Sequence, residues 1–336
     1  MRYAAVGILT TIAILTLLGA LASWSPIGWL TLLLLALVAV TLLARTRRAR
    51  RGLTIAVVAL CMTIVGLRTV GAHGRVSMLT LPSGKQSRWA TQIVDEQDAS
   101  VLGARLFGAT SQLPPDEQRE LVPATHDAYV EMRRDLGITP SPLLDTLLTR
   151  QSASAFDVVV IEPRDMPKPR AGVIFLHGYA GSFTIECWLV ARAADAIGAV
   201  TVCPATDFSG HWSSRQGVRA FGETLRYLRA RGIDRVYLAG LSNGAVGASA
   251  PVAHFASSLR GLILISGTPA SGNAGLPTLV VQGDDDTMVS AANARAFAAR
   301  THATYASFAG GHFVLMLRRD EVRDTIAAWL RRQESS

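Results

Sequence analysis

Residues 236–245 read VYLAGLSNGA, and this stretch decides how the second half of the chain folds. The apolar run before Gly240 predicts a buried strand, and the small residues from Asn243 onward predict a helix. Between them, residues 240–244 fit the pattern G-x-S-x-G. In a strand–turn–helix setting the two glycines leave room where strand and helix nearly touch, and the strained turn exposes the serine hydroxyl. The pattern therefore predicts Ser242 as a nucleophile, the alternative being an ordinary serine in a glycine-rich turn.

Short apolar runs alternate with helical stretches around this motif, from residue 156 to the C-terminus. Strands are predicted at 156–161, 172–176, 200–203, 235–239, 261–265, 278–282 and 304–308. Helices are predicted at about 183–197, 214–231, 243–256, 290–301 and 319–333. This alternation predicts an α/β fold with a mostly parallel sheet and helices on both of its faces.

A serine hydroxyl is a weak nucleophile at neutral pH and needs a neighbouring base. His312 follows the last predicted strand, and the glycines at 310 and 311 allow its loop to reach back to Ser242. His302 at a helix end and His254 within a helix lack such a setting. We therefore predict His312 as the base, the alternative being a surface histidine in a turn.

The base in turn needs an acid that fixes its tautomer and stabilises the imidazolium. Three aspartates at 284–286 follow the strand PTLVVQ and Gly283. Because a bend at Gly283 turns the chain back over the sheet edge three residues on, Asp286 is the predicted acid. The other two are expected to be solvated or bonded to local backbone N–H groups. The order Ser242, Asp286, His312 is one in which such triads occur. The alternative for the acidic run is a solvated turn or a weak cation site.

A developing oxyanion needs backbone N–H groups aimed at it. One is expected from Asn243, directly after the nucleophile, and the second from Tyr179 in the loop FLHGYAG at 175–181. His177 in the same loop is interpreted as a structural polar residue.

Five segments together resemble the α/β-hydrolase superfamily, in particular its serine esterases, lipases and thioesterases, over residues 156–333. They are FLHGYAG at 175–181, DFSGHWSS at 207–214, GLSNG at 240–244, GDDDTMV at 283–289 and GGHF at 310–313. The resemblance implies a Ser242, Asp286 and His312 triad, oxyanion donors at Tyr179 and Asn243, and no cofactor. Asp207 matches a turn position that is usually structural.

The chain departs from many relatives in lacking room for a cap over the site. Only residues 267–276 separate two of the predicted strands, which is too short for an inserted lid. The site is therefore expected to be open. Its edge is left to residues 88–155 and to the loop around Trp212, a candidate substrate-binding residue.

The formal net charge of +8 does not indicate a nucleic-acid partner. Residues 1–75 contain eight arginines and no acidic residue, so the 25 basic residues that remain balance 25 acidic ones. The three cysteines form no CxxC pair and the seven histidines show no HxxxH spacing, which argues against a metal site.

Three apolar stretches at about 4–24, 27–43 and 53–72 approach the ~20 residues that span a bilayer. They predict a membrane anchor over 1–72, followed by a connector and helical lead-in over 73–155 and a catalytic domain over 156–336. Within the lead-in, residues 73–87 read as a polar connector. Alternatively the first stretch is a cleaved signal peptide, since residues 20–22 resemble an A-x-A site.

Five arginines at 45–51 predict a cytoplasmic loop between the second and third stretches. Three crossings of a bacterial-type inner membrane then place the catalytic domain in the periplasm. If the third stretch does not span, the domain is cytoplasmic. In an oxidising compartment Cys187 and Cys203 can form a disulfide bond, although buried free thiols are equally ordinary.

The sequence thus predicts a membrane-anchored hydrolase of carboxylic esters or thioesters. A peptidase or acyltransferase with the same triad, or a non-catalytic binding module on this fold, are the alternatives. The short connector favours an acyl ester from the bilayer, and a small soluble ester is the other candidate substrate.

Overall fold

The computed structural model describes residues 10, 13, 14, 16–18, 20, 21, 26–71, 74–86, 91, 96–109 and 113–335. The described residues between 10 and 21 are helical, and the first helices with defined bounds are α1 (Pro26–Leu43) and α2 (Arg47–Gly71). The lead-in comprises β1 (Val76–Leu81), β2 (Lys85–Gln86), α3 (Glu96–Gly108), α4 (Pro115–Leu136) and α5 (Leu143–Leu147).

From residue 156 onward, strands and helices alternate as predicted. The strands are β3 (Phe156–Ile161), β4 (Ala171–Leu176), β5 (Ala199–Pro204), β6 (Arg235–Leu241), β7 (Gly261–Ile265), β8 (Thr278–Gly283) and β9 (Thr304–Phe308). The helices are α6 (Thr184–Ala194), α7 (Arg215–Ala230), α8 (Asn243–Gly247), α9 (Ser249–Phe255), α10 (Ala291–Thr301), α11 (Val314–Leu317) and α12 (Arg319–Ser335).

The described strands form one sheet in the order β2-β1-β3-β5-β4-β6-β7-β8-β9. Strands β5, β4, β6, β7, β8 and β9 are mutually parallel, whereas β2, β1 and β3 pair antiparallel at one end. This architecture confirms the α/β class with a mostly parallel sheet and is consistent with the α/β-hydrolase fold. Because the carboxyl ends of the parallel strands share one edge, the residues that follow them converge there.

Side chains of the central strands alternate between two hydrophobic layers. In β4, Val173 and Phe175 pack with Tyr129, Trp188 and Trp329 from α4, α6 and α12. The intervening Ile174 and Leu176 pack on the opposite face with side chains of α7, α9 and α10. Helices therefore cover both faces, as predicted. Burial on both faces also explains why these strands appear in the sequence as short, wholly apolar runs.

The structure differs from the predicted elements in two places. The segment expected as a polar connector contains β1, whose residues pair with β3 from Val76↔Ile161 to Leu81↔Phe156. This strand buries Val76, Met78 and Leu81 but is only six residues long. The helix predicted over 243–256 is divided into α8 and α9, because Pro251 lacks the N–H that would bond the carbonyl four residues earlier.

The helices α1 and α2 pack against each other, joined by residues 44–46. Many of their apolar side chains are exposed, among them Leu33, Val40, Ile55, Val58 and Met62. Of the described helices, one is long and apolar enough to cross a membrane, Arg47–Leu67 within α2. The apolar part of α1, Gly28–Leu43, is shorter; at ~1.5 Å per residue it extends ~24 Å, against a ~30 Å hydrocarbon core. The stretch at 4–24 lies mostly outside the described residues, so one candidate span stands where three were predicted.

Candidate active site

Ser242 occupies a strained turn between β6 and α8. Its φ of 51° and ψ of −117° lie where few residues other than glycine are found. A side chain at 240 would collide with the backbone of Gly244, and one at 244 would collide with the carbonyl oxygen of Leu176. The two glycines of the motif therefore permit the close approach that was predicted from the sequence. The Ser242 N–H is held by the carbonyl of Ile265 at 2.9 Å, so the turn is fixed to the neighbouring strand.

His312 lies in the loop after β9 and links Ser242 to Asp286. Its Nε2 is 2.9 Å from the Ser242 Oγ, and its Nδ1 is 2.9 Å from Asp286 Oδ2. Both His312 and Asp286 are buried, at 7% and 8% exposure. With the imidazole proton on Nδ1, the ring donates to Asp286 and accepts from the serine hydroxyl. The structure thus brings together the three predicted residues in a continuous hydrogen-bonded line.

Asp286 is the only one of the three adjacent aspartates that faces the imidazole. Its Oδ1 accepts from the N–H groups of Met288 and Val289 at 2.9 and 2.8 Å, and Gln282 Nε2 donates to Oδ2 at 2.7 Å. Asp284 and Asp285 are exposed. Within the described part of the chain, no group of three or more His, Cys, Asp or Glu side chains is placed to hold a metal ion.

Glu117, at the start of α4, holds the loop that carries His312. Its Oε1 accepts a hydrogen bond from the N–H of Gly311. A Cβ at 310 or 311 would lie within 3 Å of the Glu117 carboxylate, so the paired glycines make room for this group. Burial, together with the negative charge of Asp286, raises the pKa of Glu117. Sequence reasoning missed this residue, because an acidic residue in the first turn of a helix is ordinary.

Tyr179 and Asn243, the residues predicted to donate to an oxyanion, lie beside the nucleophile. The loop carrying Tyr179 passes directly beside the nucleophile, since a Cβ at Gly178 would lie 3.2 Å from the Ser242 Cβ. None of the hydrogen bonds among described residues uses either N–H group. Both residues line the same cavity as Ser242 and His312. The side chain of Asn243 is engaged elsewhere, donating to the Ser209 carbonyl at 2.8 Å.

His177 and Trp212 hold the backbone of the loop that carries Tyr179 through hydrogen bonds. Burial lowers the pKa of His177 to about 4, so its ring is neutral at physiological pH. Its Nδ1–H donates to the Gly178 carbonyl, and its Nε2 accepts from the N–H of Thr206.

The predicted position of Trp212 is wrong. Trp212 was predicted at the substrate edge, but it is fully buried and is not among the residues that line the cavity. Its Nε1–H donates to the carbonyl of His177 at 3.0 Å, and its ring packs edge-on against the His177 imidazole. The indole is therefore held under the loop of Tyr179 rather than at the surface.

A cavity of about 370 Å³ opens beside Ser242 and His312. The lead-in supplies one wall, as expected from the missing cap; these residues are Ala99, Ser100, Gly103, Ala104, Phe107, Leu121 and Thr125. The opposite wall comes from α6, α11 and the loops around them, and most of it is apolar. Tyr179 and Met288, which are 58% and 41% exposed, also line the cavity and border its opening to solvent.

Cys187 and Cys203 form a disulfide bond, with their Cα atoms 6.0 Å apart. The bond joins α6, which follows the loop of Tyr179, to the end of β5. This confirms the pairing that the sequence left open.

Comparisons with known proteins give structural likeness without a family assignment. No family model matches the chain, and no curated protein matches it. Similar solved structures include Est1E from Butyrivibrio proteoclasticus, with 16% identity over 54% of this chain and 96% of that one, at a TM-score of 0.47. An esterase from Pyrobaculum calidifontis has 15% identity over 56% and 83%, at 0.44. A serine hydrolase homologue from Coxiella burnetii has 21% identity over 52% and 91%, at 0.40. These neighbours are esterases and serine hydrolases of the α/β-hydrolase fold; the roles of the site residues here are inferred from the geometry of this chain.

Proposed function

We propose that the protein is a serine hydrolase that cleaves carboxylic esters or thioesters through an acyl-enzyme intermediate. The observation that carries this proposal is the continuous hydrogen-bonded line from Asp286 through His312 to Ser242. The serine stands on a strained turn beside two backbone N–H groups that no hydrogen bond among the described residues uses. A nucleophile, a base, an orienting acid and an oxyanion site are the complete set that acyl transfer requires.

In this mechanism His312 Nε2 takes the hydroxyl proton as Ser242 Oγ attacks the substrate carbonyl. Asp286 accepts the Nδ1–H and stabilises the imidazolium that forms. The N–H groups of Tyr179 and Asn243 donate to the oxyanion of the tetrahedral intermediate. The imidazolium then protonates the leaving alcohol or thiol, and the same base activates a water that releases the acid.

Two other functions use the same fold. A peptidase or an acyltransferase would employ the same triad with a different leaving group or acceptor. A binding module would need neither the strained serine nor the buried acid behind His312, since both carry a cost in folding free energy. We therefore favour catalysis.

The test is labelling by a fluorophosphonate probe together with hydrolysis of a panel of esters and thioesters. Ser242→Ala is expected to abolish labelling and to reduce turnover by a factor on the order of 10⁶, since the attacking atom is lost. Ser213→Ala, an exposed serine outside the cavity, is the matched control and should retain activity. More than a few per cent residual turnover in a folded Ser242→Ala variant would refute the assignment.

We also propose that α2, with α1 packed against it, anchors the protein in a membrane, with the hydrolase domain outside the cytoplasm. The two helices are joined at the arginine-rich end, and α2 leads back into β1 after residues 72–75. Arginines concentrate in cytoplasmic loops, so the opposite end of the pair, from which the domain continues, faces outward. A disulfide bond suits an oxidising compartment.

A membrane-derived acyl ester is the substrate class that this arrangement favours, and a small soluble ester is the alternative. The supporting observation is the short link between α2 and the sheet, which keeps the cavity near the headgroups of the bilayer. An apolar cavity wall suits an acyl chain better than a polar alcohol.

A further inference from the structure

The cavity beside Ser242 is apolar along most of its wall but contains a buried carboxyl group that the proposed mechanism does not use. Phe107, Leu121, Leu189 and Leu315 are typical of its lining. Glu186, in the first turn of α6, lines the same cavity. Ligand sites of this kind often combine an apolar wall with a few placed polar groups that fix orientation.

A second acidic residue, Glu96, lies close enough to Glu186 to act on its charge. The hydrogen bonds of Glu96 are made to groups of the protein. Glu96 accepts from the N–H groups of Thr184 and Ile185 at 2.8 and 2.9 Å, from the Tyr129 hydroxyl at 2.9 Å, and from Ser141. The network reaches the cavity wall, because Ser100 Oγ lies 2.6 Å from the Tyr129 hydroxyl. One region of the cavity near Glu96 is therefore polar, and Glu186 belongs to it.

Glu186 itself lacks such partners. Among the described residues, its Oε2 is shielded from solvent and has no hydrogen-bond partner. Burial, reinforced by the charge of Glu96, raises the pKa of Glu186 to about 8. At neutral pH the group is thus mostly a carboxylic acid, able both to donate and to accept a hydrogen bond. A buried polar atom without a partner costs free energy, and a ligand in the cavity toward which the carboxyl group turned would recover part of that cost.

We propose that one chain of the ester occupies this cavity and that Glu186 recognises a hydroxyl group on that chain. The inference rests on the proposed function and specifies its substrate: an otherwise apolar ester whose chain carries a hydroxyl. A volume of about 370 Å³ is near the lower end of ligand pockets. It suits one chain of moderate length rather than both chains of a membrane lipid.

The experiment compares p-nitrophenyl esters of six- to twelve-carbon acids, each with and without a terminal hydroxyl, on the full-length protein. Wild type should prefer the hydroxylated ester by about tenfold in kcat/KM at one chain length, the equivalent of one satisfied hydrogen bond. Glu186→Gln, which keeps donor and acceptor, should retain most of the preference. Glu186→Leu should reverse it, because the hydroxyl would then be buried without a partner.

Thr125→Val is the matched control within the same cavity. The Thr125 hydroxyl already donates to the Leu121 carbonyl at 2.7 Å, so it is committed and its loss should leave the preference intact. A wild type without any preference for hydroxylated chains, or a Glu186→Leu variant that keeps it, would overturn the inference. The wild-type comparison decides the question even if the leucine variant fails to fold.

A parallel series of alkyl and hydroxyalkyl fluorophosphonates separates this inference from the proposed function. Their rates of reaction with Ser242 should show the same preference without requiring ester turnover. Reaction at equal rates would overturn the role of Glu186 and leave the serine hydrolase intact. Failure of wild type to react with any probe or ester would overturn both.

Discussion

At the scale of single residues, neighbouring side chains of one chemical type take on very different roles. Of the three aspartates at 284–286, one is buried with four hydrogen-bond partners and the other two are exposed. Asp284 pairs with Arg295 at 3.3 Å on the surface, where such pairs contribute little. The bend at Gly283, and not the composition of the run, decides which carboxylate meets the imidazole.

Substitution of each aspartate by asparagine should separate them. Asp286→Asn keeps an oxygen for the N–H groups of Met288 and Val289, so the turn should persist. Its amide would favour the wrong imidazole tautomer, and turnover should fall by about 10⁴. Asp284→Asn and Asp285→Asn should stay within a few-fold of wild type in kcat. An equally severe loss at either position would reassign the acid.

The three residues of the proposed triad could be selected from the sequence because each follows a strand in a recognisable local pattern. Glu117 and Glu186 could not. Glu117 acts on Gly311, which is 194 positions away in the chain, and only the packing of α4 brings the two together. Glu186 is one polar residue in a helix that is otherwise largely apolar, and its environment depends on Glu96 from another helix. The position of Trp212 was predicted wrongly, because the sequence of a loop does not show whether an aromatic residue in it is buried.

At the scale of elements, α4 is coupled to catalysis through the loop of His312. Glu117→Leu removes the acceptor for the Gly311 N–H and should lower kcat at least tenfold with little change in KM, because the base is then poorly positioned. Glu117→Gln keeps an acceptor oxygen and should retain most activity.

The pH–rate profile distinguishes this positioning role from a general loss of stability. Burial and the charge of Asp286 raise the pKa of Glu117, so its carboxylate gains a proton at a higher pH than an exposed glutamate does. Glu117→Gln has no group that titrates at this position, so the part of the acid limb of kcat/KM that comes from protonation of Glu117 should disappear. An unchanged limb with unchanged kcat in both variants would show that Glu117 does not act on the base.

The disulfide bond is a second link between elements. Replacing Cys187 and Cys203 together by serine should destabilise the domain by ~3 kcal/mol, the value expected for a closed loop of about 15 residues. The thermal midpoint of wild type, measured with and without reductant, reports the same effect. Cys61, the free cysteine in α2, provides the control: Cys61→Ser should leave the midpoint unchanged. A wild-type midpoint insensitive to a reductant that demonstrably cleaves the bond would contradict this prediction.

Strands could be predicted where burial on both faces produces mostly apolar runs, as in β3 to β8. The last strand, β9, was also predicted, although only Phe308 of its five residues is buried. The prediction failed for β1, where the six residues VSMLTL mix polar and apolar side chains. Such a strand is defined by its partner, β3, rather than by its own sequence.

At the scale of the whole molecule, the proposed orientation in the membrane rests on the arginines at 45–51. With this loop in the cytoplasm, protease added to intact spheroplasts should digest the hydrolase domain, and a cytoplasmic marker protein should survive. Moving the arginines to the other end of the helices would invert the outcome if charge alone determines orientation. Complete protection of the domain in intact spheroplasts, with digestion after lysis, would place it inside.

The passage from α2 to β1 takes only residues 72–75, and β1 is hydrogen-bonded to β3 along its length. With α2 in a bilayer, this short segment holds the hydrolase domain close to the membrane surface. The domain then meets its substrate by diffusion in the plane of the membrane. Encounters then depend on the number of ester molecules per unit area of membrane and not on their bulk concentration. Diluting an ester with inert lipid should slow the full-length enzyme even when the total amount of ester in the sample is constant.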